Sequence, residues 1–81
     1  MVEIVKNTIA DPQTRMAVEA SVIAGLIQRE PGDWKACIEE LASEPTIIIS
    51  FSGPDSLDNC RFQTRDAEHI RSWIASVTIV N

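Results

Sequence analysis

The sequence is poor in the residues from which catalytic and metal sites are usually built. It holds one histidine, His69, and two cysteines, Cys37 and Cys60, which are too far apart in the chain to form a CxxC pair. A metal site with two or more imidazoles is therefore excluded by count. We predict a protein that is not an enzyme and that binds no metal ion and no cofactor.

Glycine is also scarce, and its scarcity bears on nucleotide binding. Loops that cradle phosphates need several glycines followed by a lysine or by a helix N-terminus. The loop at residues 52–56 contains only Gly53, and no lysine occurs after Lys35. The sequence therefore gives no support for nucleotide binding.

Long apolar runs and targeting segments are missing as well. Uncharged stretches such as residues 20–28 are far shorter than the ~20 residues that cross a bilayer. Residues 1–6 lack the basic region and the apolar run of a secretory signal. We predict a single cytoplasmic domain, residues 1–81, that does not enter a membrane. The cytoplasm favours reduced cysteines, although the sequence leaves a disulfide between Cys37 and Cys60 as an alternative.

Acidic residues are in excess, and most of the excess lies in the first half of the chain. The formal charge is −5, from 12 acidic and 7 basic residues. Negative charge repels phosphate backbones, so we predict no direct binding of nucleic acid. A basic protein partner would be attracted instead.

The first half of the chain is predicted to contain two helices. Residues 2–10 form a short strand or a docked arm, and Asp11-Pro12 is typical of a helix start. After it, a stripe of Met16, Ala20, Ile23 and Ile27, widened by Val22 and Leu26, has the spacing of an amphipathic helix. The even positions 16–26 also alternate as in a strand, but the alanines favour a helix over residues 14–28.

A second helix is predicted at residues 33–43, between Pro31-Gly32 and Pro45. Its apolar positions follow helical spacing and comprise Trp34, Cys37, Ile38, Leu41 and Ala42. Asp33 is placed to cap it.

The second half is predicted to contain a hairpin and a last helix. Residues 46–51 are β-branched and apolar on both faces, which predicts a strand covered on both sides, and residues 59–64 alternate as its partner. Thr64 or Asp66 caps a helix with apolar positions at Ala67, Ile70, Trp73, Ile74 and Val77, and residues 78–80 form an edge strand or a tail. The expected fold is α+β, with two N-terminal helices, a hairpin and a C-terminal helix in two layers.

The leading functional hypothesis is a non-enzymatic protein-binding module. It would act as an inhibitor, an immunity or antitoxin-like protein, or a phage or bacterial accessory factor, by covering a protein partner with an acidic and apolar surface. Tryptophan is enriched at interaction hot spots. The predicted contact residues are Glu30, Asp33, Trp34, Glu39, Glu40 and Trp73. The uncharged run at residues 20–27 favours a homodimer, because so small a domain has little interior to bury it.

Two alternatives belong to other classes of function. A thiol-dependent enzyme would gather Cys60, His69 and Asp66, the ingredients of an activated nucleophile. An acidic mimic of nucleic acid would need one continuous face that carries Glu19, Glu30, Asp33, Glu39, Glu40 and Glu44. The arginines Arg61, Arg65 and Arg71 form either an anion contact or the charged protection of a strand edge.

Overall fold

The computed structural model describes residues 1–29, 32–41, 46–54, 60–63 and 66–76. Along the chain the elements are β1 (Val2–Asn7), α1 (Pro12–Arg29), β2 (Trp34–Leu41), β3 (Thr46–Ser52), β4 (Cys60–Phe62) and α2 (Ala67–Ser76). The predicted arrangement of two N-terminal helices, a hairpin and a C-terminal helix is therefore wrong.

The four strands form one mixed sheet in the order β1-β2-β3-β4. β1 runs parallel to β2, and α1 makes the crossover between them. β2 with β3, and β3 with β4, are antiparallel. α1 and α2 pack against each other, and both contribute buried residues to a single core on one face of the sheet.

The main correction concerns residues 33–43, which were predicted to be a helix. Residues 34–41 are strand β2, in which Trp34, Ala36 and Ile38 are buried and Lys35 and Glu39 are exposed. That alternation has the period of two typical of a half-buried strand. β2 pairs with β1 on one side and with β3 on the other, so long-range pairing overrode the helical spacing of its apolar residues.

The structure confirms the predicted helix at residues 14–28, and the helix begins at the expected Asp11-Pro12 pair. The Asp11 carboxylate accepts hydrogen bonds from the Thr14 backbone N–H (2.9 Å) and from the Thr14 hydroxyl (2.7 Å). Pro12 occupies the first helical position, where its missing N–H costs nothing. Gly32, beyond the helix, has a φ of 145°, which side chains other than glycine rarely adopt.

The second half contains the paired strands β3 and β4 and the helix α2. Asp66 caps α2, because its carboxylate accepts a hydrogen bond from the Glu68 N–H at 3.1 Å. The Phe62 and Trp73 rings meet edge to face with centroids 5.3 Å apart, which joins β4 to α2. Thr64 as a cap, Val77 as a core position and a strand at residues 78–80 lie outside the described residues.

Only one face of the sheet is covered by helices in the described part of the chain. Trp34, Ala36, Ile38, Ile47 and Ile49 point into the core beneath α1 and α2. The prediction that the strand at residues 46–51 has both faces covered by other elements is not met there, since Ile48 and Ser50 lie on the opposite face and are only half-buried.

Candidate functional site

The largest exposed apolar side chains of the helical layer lie on the outer side of α1. Met16 is 72% exposed and Ile27 is 61% exposed, and Ala20 and half-buried Ile23 lie between them on the same side of the helix. We call these four residues the outer stripe. Soluble helices usually present charged residues on this side. An uncharged apolar stripe of this kind is typical of a contact surface.

The position of the outer stripe corrects an expectation from the sequence. The sequence grouped these four residues with Val22 and Leu26 into one apolar stripe of an amphipathic helix. The buried residues of α1 are instead Val18, Val22, Gly25 and Leu26. Both sets have helical spacing, and α1 is apolar on two sides, so spacing alone could not say which side would meet the sheet.

The charged neighbours of the outer stripe lie toward β1. Asn7, at the end of β1, donates from its side-chain nitrogen to the Arg15 carbonyl (3.2 Å) and to the Glu19 carboxylate (3.1 Å). These bonds fasten α1 to β1 and draw Glu19 to one flank. A shallow cleft of about 250 Å³ lies along the stripe, lined by Arg15, Met16, Glu19, Ala20 and Ile23.

The second uncovered surface is the open face of the sheet. Strand register places there Glu3, Lys6, Lys35, Cys37, Glu39, Ile48, Ser50 and Arg61. Lys6 pairs with Glu39 at 3.5 Å. A small hollow of about 250 Å³ has Val5, Cys37 and Ser50 among its lining residues, and Val5 is 55% exposed. This face carries charges of both signs and is not an acidic surface.

Several acidic residues are engaged within the chain rather than gathered on one surface. Asp11 and Asp66 cap the two helices. The Glu40 carboxylate accepts a hydrogen bond from the Ala10 N–H at 3.3 Å, while Glu39 pairs with Lys6 across the open face. Adjacent residues of a strand point to opposite faces, so no single face carries both Glu39 and Glu40. An acidic mimic of nucleic acid would need both carboxylates on one continuous face, and strand β2 does not provide that face.

The other predicted contact residues lie apart from one another. Asp33 is exposed just before β2, and Glu30 lies outside the described residues. Trp34 is 1% exposed and its ring lies against Gly53, where an added Cβ would stand only 2.1 Å from the ring. Trp73 is half-buried against Phe62. Trp34 could reach a partner only by leaving the core.

The residues of the thiol hypothesis occupy neighbouring elements but have other roles. The Cys60 side chain packs against the core, and its burial raises the pKa of the thiol above the usual value, which disfavours the thiolate nucleophile. Asp66 is a helix cap and His69 is exposed on α2. Cys37 and Cys60 are free and lie on opposite faces of the sheet, because Cys37 pairs with Ser50 and Cys60 with Ile49.

The arginines do not form the predicted patch in the described part. Arg61 lies on the open face of β4, whereas Arg71 on α2 bonds to Glu68 and to the Gln28 side chain, the latter at 2.8 Å. The hydrogen bond from Arg71 lowers the pKa of the Glu68 carboxyl, since it stabilises the charged form. Arg65 lies outside the described residues.

No described group of three or more histidine, cysteine or acidic side chains could hold a metal ion. A hollow of about 720 Å³ is an open depression at the start of β2 whose lining includes Glu3, Asp33 and Lys35. Neither described helix is long and apolar enough to span a bilayer.

Comparison with protein-family models, with curated proteins and with solved structures gave no match in any of the three.

Proposed function

We propose that this domain is a non-enzymatic protein-binding module whose contact surface is the outer stripe of α1. The observation that carries the proposal is the exposure of Met16 and Ile27 at the two ends of an uncharged apolar side of a helix. The proposed module acts by covering part of a protein partner, as an inhibitor or an accessory factor does. A cytoplasmic location is part of the proposal, because both cysteines are free thiols.

The energy available from this surface supports a contact role. Burying a Met or Ile side chain fully is worth about 1.5–3 kcal/mol, and both ends of the stripe retain well over half of their exposed area. The centres of protein interfaces are depleted of charged residues. The outer stripe meets that description, with Ala17 and Ala24 beside it on the flank away from Glu19.

The partner implied by this surface is an apolar one. The sequence suggested a basic partner drawn to acidic residues, but Asp11, Glu39, Glu40, Asp66 and Glu68 are engaged in hydrogen bonds or ion pairs of their own chain. The net charge therefore affects the solubility of the chain and its encounter with a partner, while the apolar stripe supplies the contact energy.

The proposal is tested by capture from an extract of the source organism with three immobilised baits: the wild-type chain, Ile27→Glu and Val5→Glu. The two variants add the same charge at exposed apolar positions, one on the outer stripe and one on the open sheet face. A protein held by wild type and by Val5→Glu, but lost with Ile27→Glu, supports the stripe as the contact surface. Identical captured proteins on all three baits would count against it.

A further inference from the structure

We propose that the occupant of the outer stripe is a second copy of this chain, packed as an antiparallel α1 pair about a two-fold axis. This inference rests on the proposed function and names its partner. The four stripe residues are separated by gaps of four, three and four positions, so the stripe reads the same in both directions. A surface that meets its own copy about a two-fold axis is self-complementary, and the spacing of the stripe is compatible with that symmetry.

The palindromic spacing fixes which residues meet. In an antiparallel pair, Met16 of one copy lies opposite Ile27 of the other, and Ala20 lies opposite Ile23. The alternating gaps of four and three are those of a helix-pairing seam. Each Ala20 leaves room for the Ile23 of the other copy, which is the large-against-small interdigitation that packs well.

The charges around the stripe fit a copy better than they fit a charged partner. On one flank, Ala17 of one copy faces Ala24 of the other, and small residues let the helices approach closely. On the other flank, the Glu19 carboxylate is held toward β1 by Asn7, away from the helix of the second copy. No like charges stand directly opposite each other, whereas a charged partner surface would lose its hydration against the uncharged stripe.

The size of the stripe sets the strength of the association. Its residues 16–27 extend over about 17 Å of helix, and covering them on two copies buries on the order of 800 Å² in total, below the ~1,200 Å² of stable interfaces. The dimer is therefore weak and depends on concentration. Both copies carry a formal charge of −5, so their mutual repulsion is screened by salt and salt strengthens the pairing.

The test is sedimentation velocity on the full chain from about 10 μM to about 1 mM, a range that brackets weak dissociation constants. Wild type and the control Val5→Glu are expected to shift from monomer to dimer as concentration rises. Ile27→Glu and Met16→Lys, each alone, are expected to weaken the dimer about tenfold or more. Each variant is checked by circular dichroism and by its melting temperature, since these exposed positions should tolerate substitution.

A mixing experiment tests the antiparallel geometry. When Met16→Lys and Ile27→Glu are mixed, the two introduced charges lie opposite each other in the mixed dimer, and the remaining Met16 and Ile27 also meet. The mixture should therefore dimerise more strongly than either variant alone. A mixture no stronger than its components would overturn the antiparallel pairing.

Salt separates this inference from binding to a basic partner. Raising NaCl from about 50 mM to about 500 mM should lower the dissociation constant of the homodimer several-fold, whereas it would weaken contact with a basic protein. A wild-type chain that stays monomeric at every concentration overturns the second-copy proposal. The proposal that the stripe binds a protein is tested separately, by capture from the extract. A failure of the homodimer can therefore be distinguished from a failure of the proposed function.

Discussion

Replacing Gly25 with alanine tests how closely α1 and α2 pack. In an open helix this change gains about 1 kcal/mol, because alanine is the best helix former and glycine one of the worst. Here the new Cβ would stand 2.9 Å from the Ile74 Cβ and 3.1 Å from the Arg71 carbonyl oxygen. Carbon atoms prefer about 3.5–4.0 Å, and a backbone carbonyl cannot rotate away, so the two helices must separate.

Overpacking of this kind costs about 1–3 kcal/mol, which outweighs the gain in helix propensity. We expect a net loss of roughly 1 kcal/mol in the free energy of unfolding, or about 4–8 °C in melting temperature for a domain of this size. Urea unfolding followed by circular dichroism measures it. Ala20→Gly is the matched control on the exposed side of the same helix, and it should lose about 1 kcal/mol from propensity alone. A more stable Gly25→Ala variant would refute the close packing of α1 on α2.

Three further predictions concern the sheet, an ion pair and a thiol. Ala36→Lys should lower the free energy of unfolding by about 2 kcal/mol or more, and Cys37→Lys by much less; a helical β2 segment would reverse that order. Glu68→Gln should be less stable than wild type above pH 4.5, the usual pKa of the carboxyl, because the ionised Glu68 is stabilised by Arg71 in the folded state. This difference in stability should vanish as the pH falls through the lowered pKa of the folded state. A difference that does not depend on pH would contradict the prediction. The apparent pKa at which Cys60 reacts with a thiol reagent, measured in Cys37→Ser, should lie above that of an ordinary cysteine; a lowered pKa would revive the thiol hypothesis.

The predictions from sequence succeeded where the signal was local. Asp11-Pro12 marks the start of α1 because a carboxylate cap and a first-turn proline act on their own neighbours. Asp66 likewise caps α2. The β-branched run at residues 46–51 became β3, since stiff branched side chains suit a strand wherever it pairs.

The predictions from sequence failed where contacts between distant parts of the chain determine the secondary structure. At residues 34–41 the apolar positions Trp34, Ile38 and Leu41 have helical spacing, but pairing with β1, some 30 positions earlier, makes the segment a strand in which Leu41 lies on the other face from Trp34 and Ile38. The alternation of Trp34, Ala36 and Ile38 with Lys35 was the available signal.

The outer stripe was visible in the sequence, but its orientation was not. α1 is apolar on two sides, and only the positions of β1 and α2 determine which side is buried. The acidic contact surface was not found because side chains such as Asp11 and Glu40 serve helix capping and loop hydrogen bonds, which composition does not reveal.

Methionine oxidation tests most directly whether the outer stripe is a protein contact. The chain has two methionines, Met16 on the stripe and Met1 away from it, and both are well exposed. Brief treatment with peroxide, read by mass spectrometry, gives the oxidation rate of each, with Met1 as the internal reference. Met16 should become protected relative to Met1 as the concentration of the chain rises or a captured partner is added. A constant ratio under both conditions would contradict the assignment of the stripe as a contact surface.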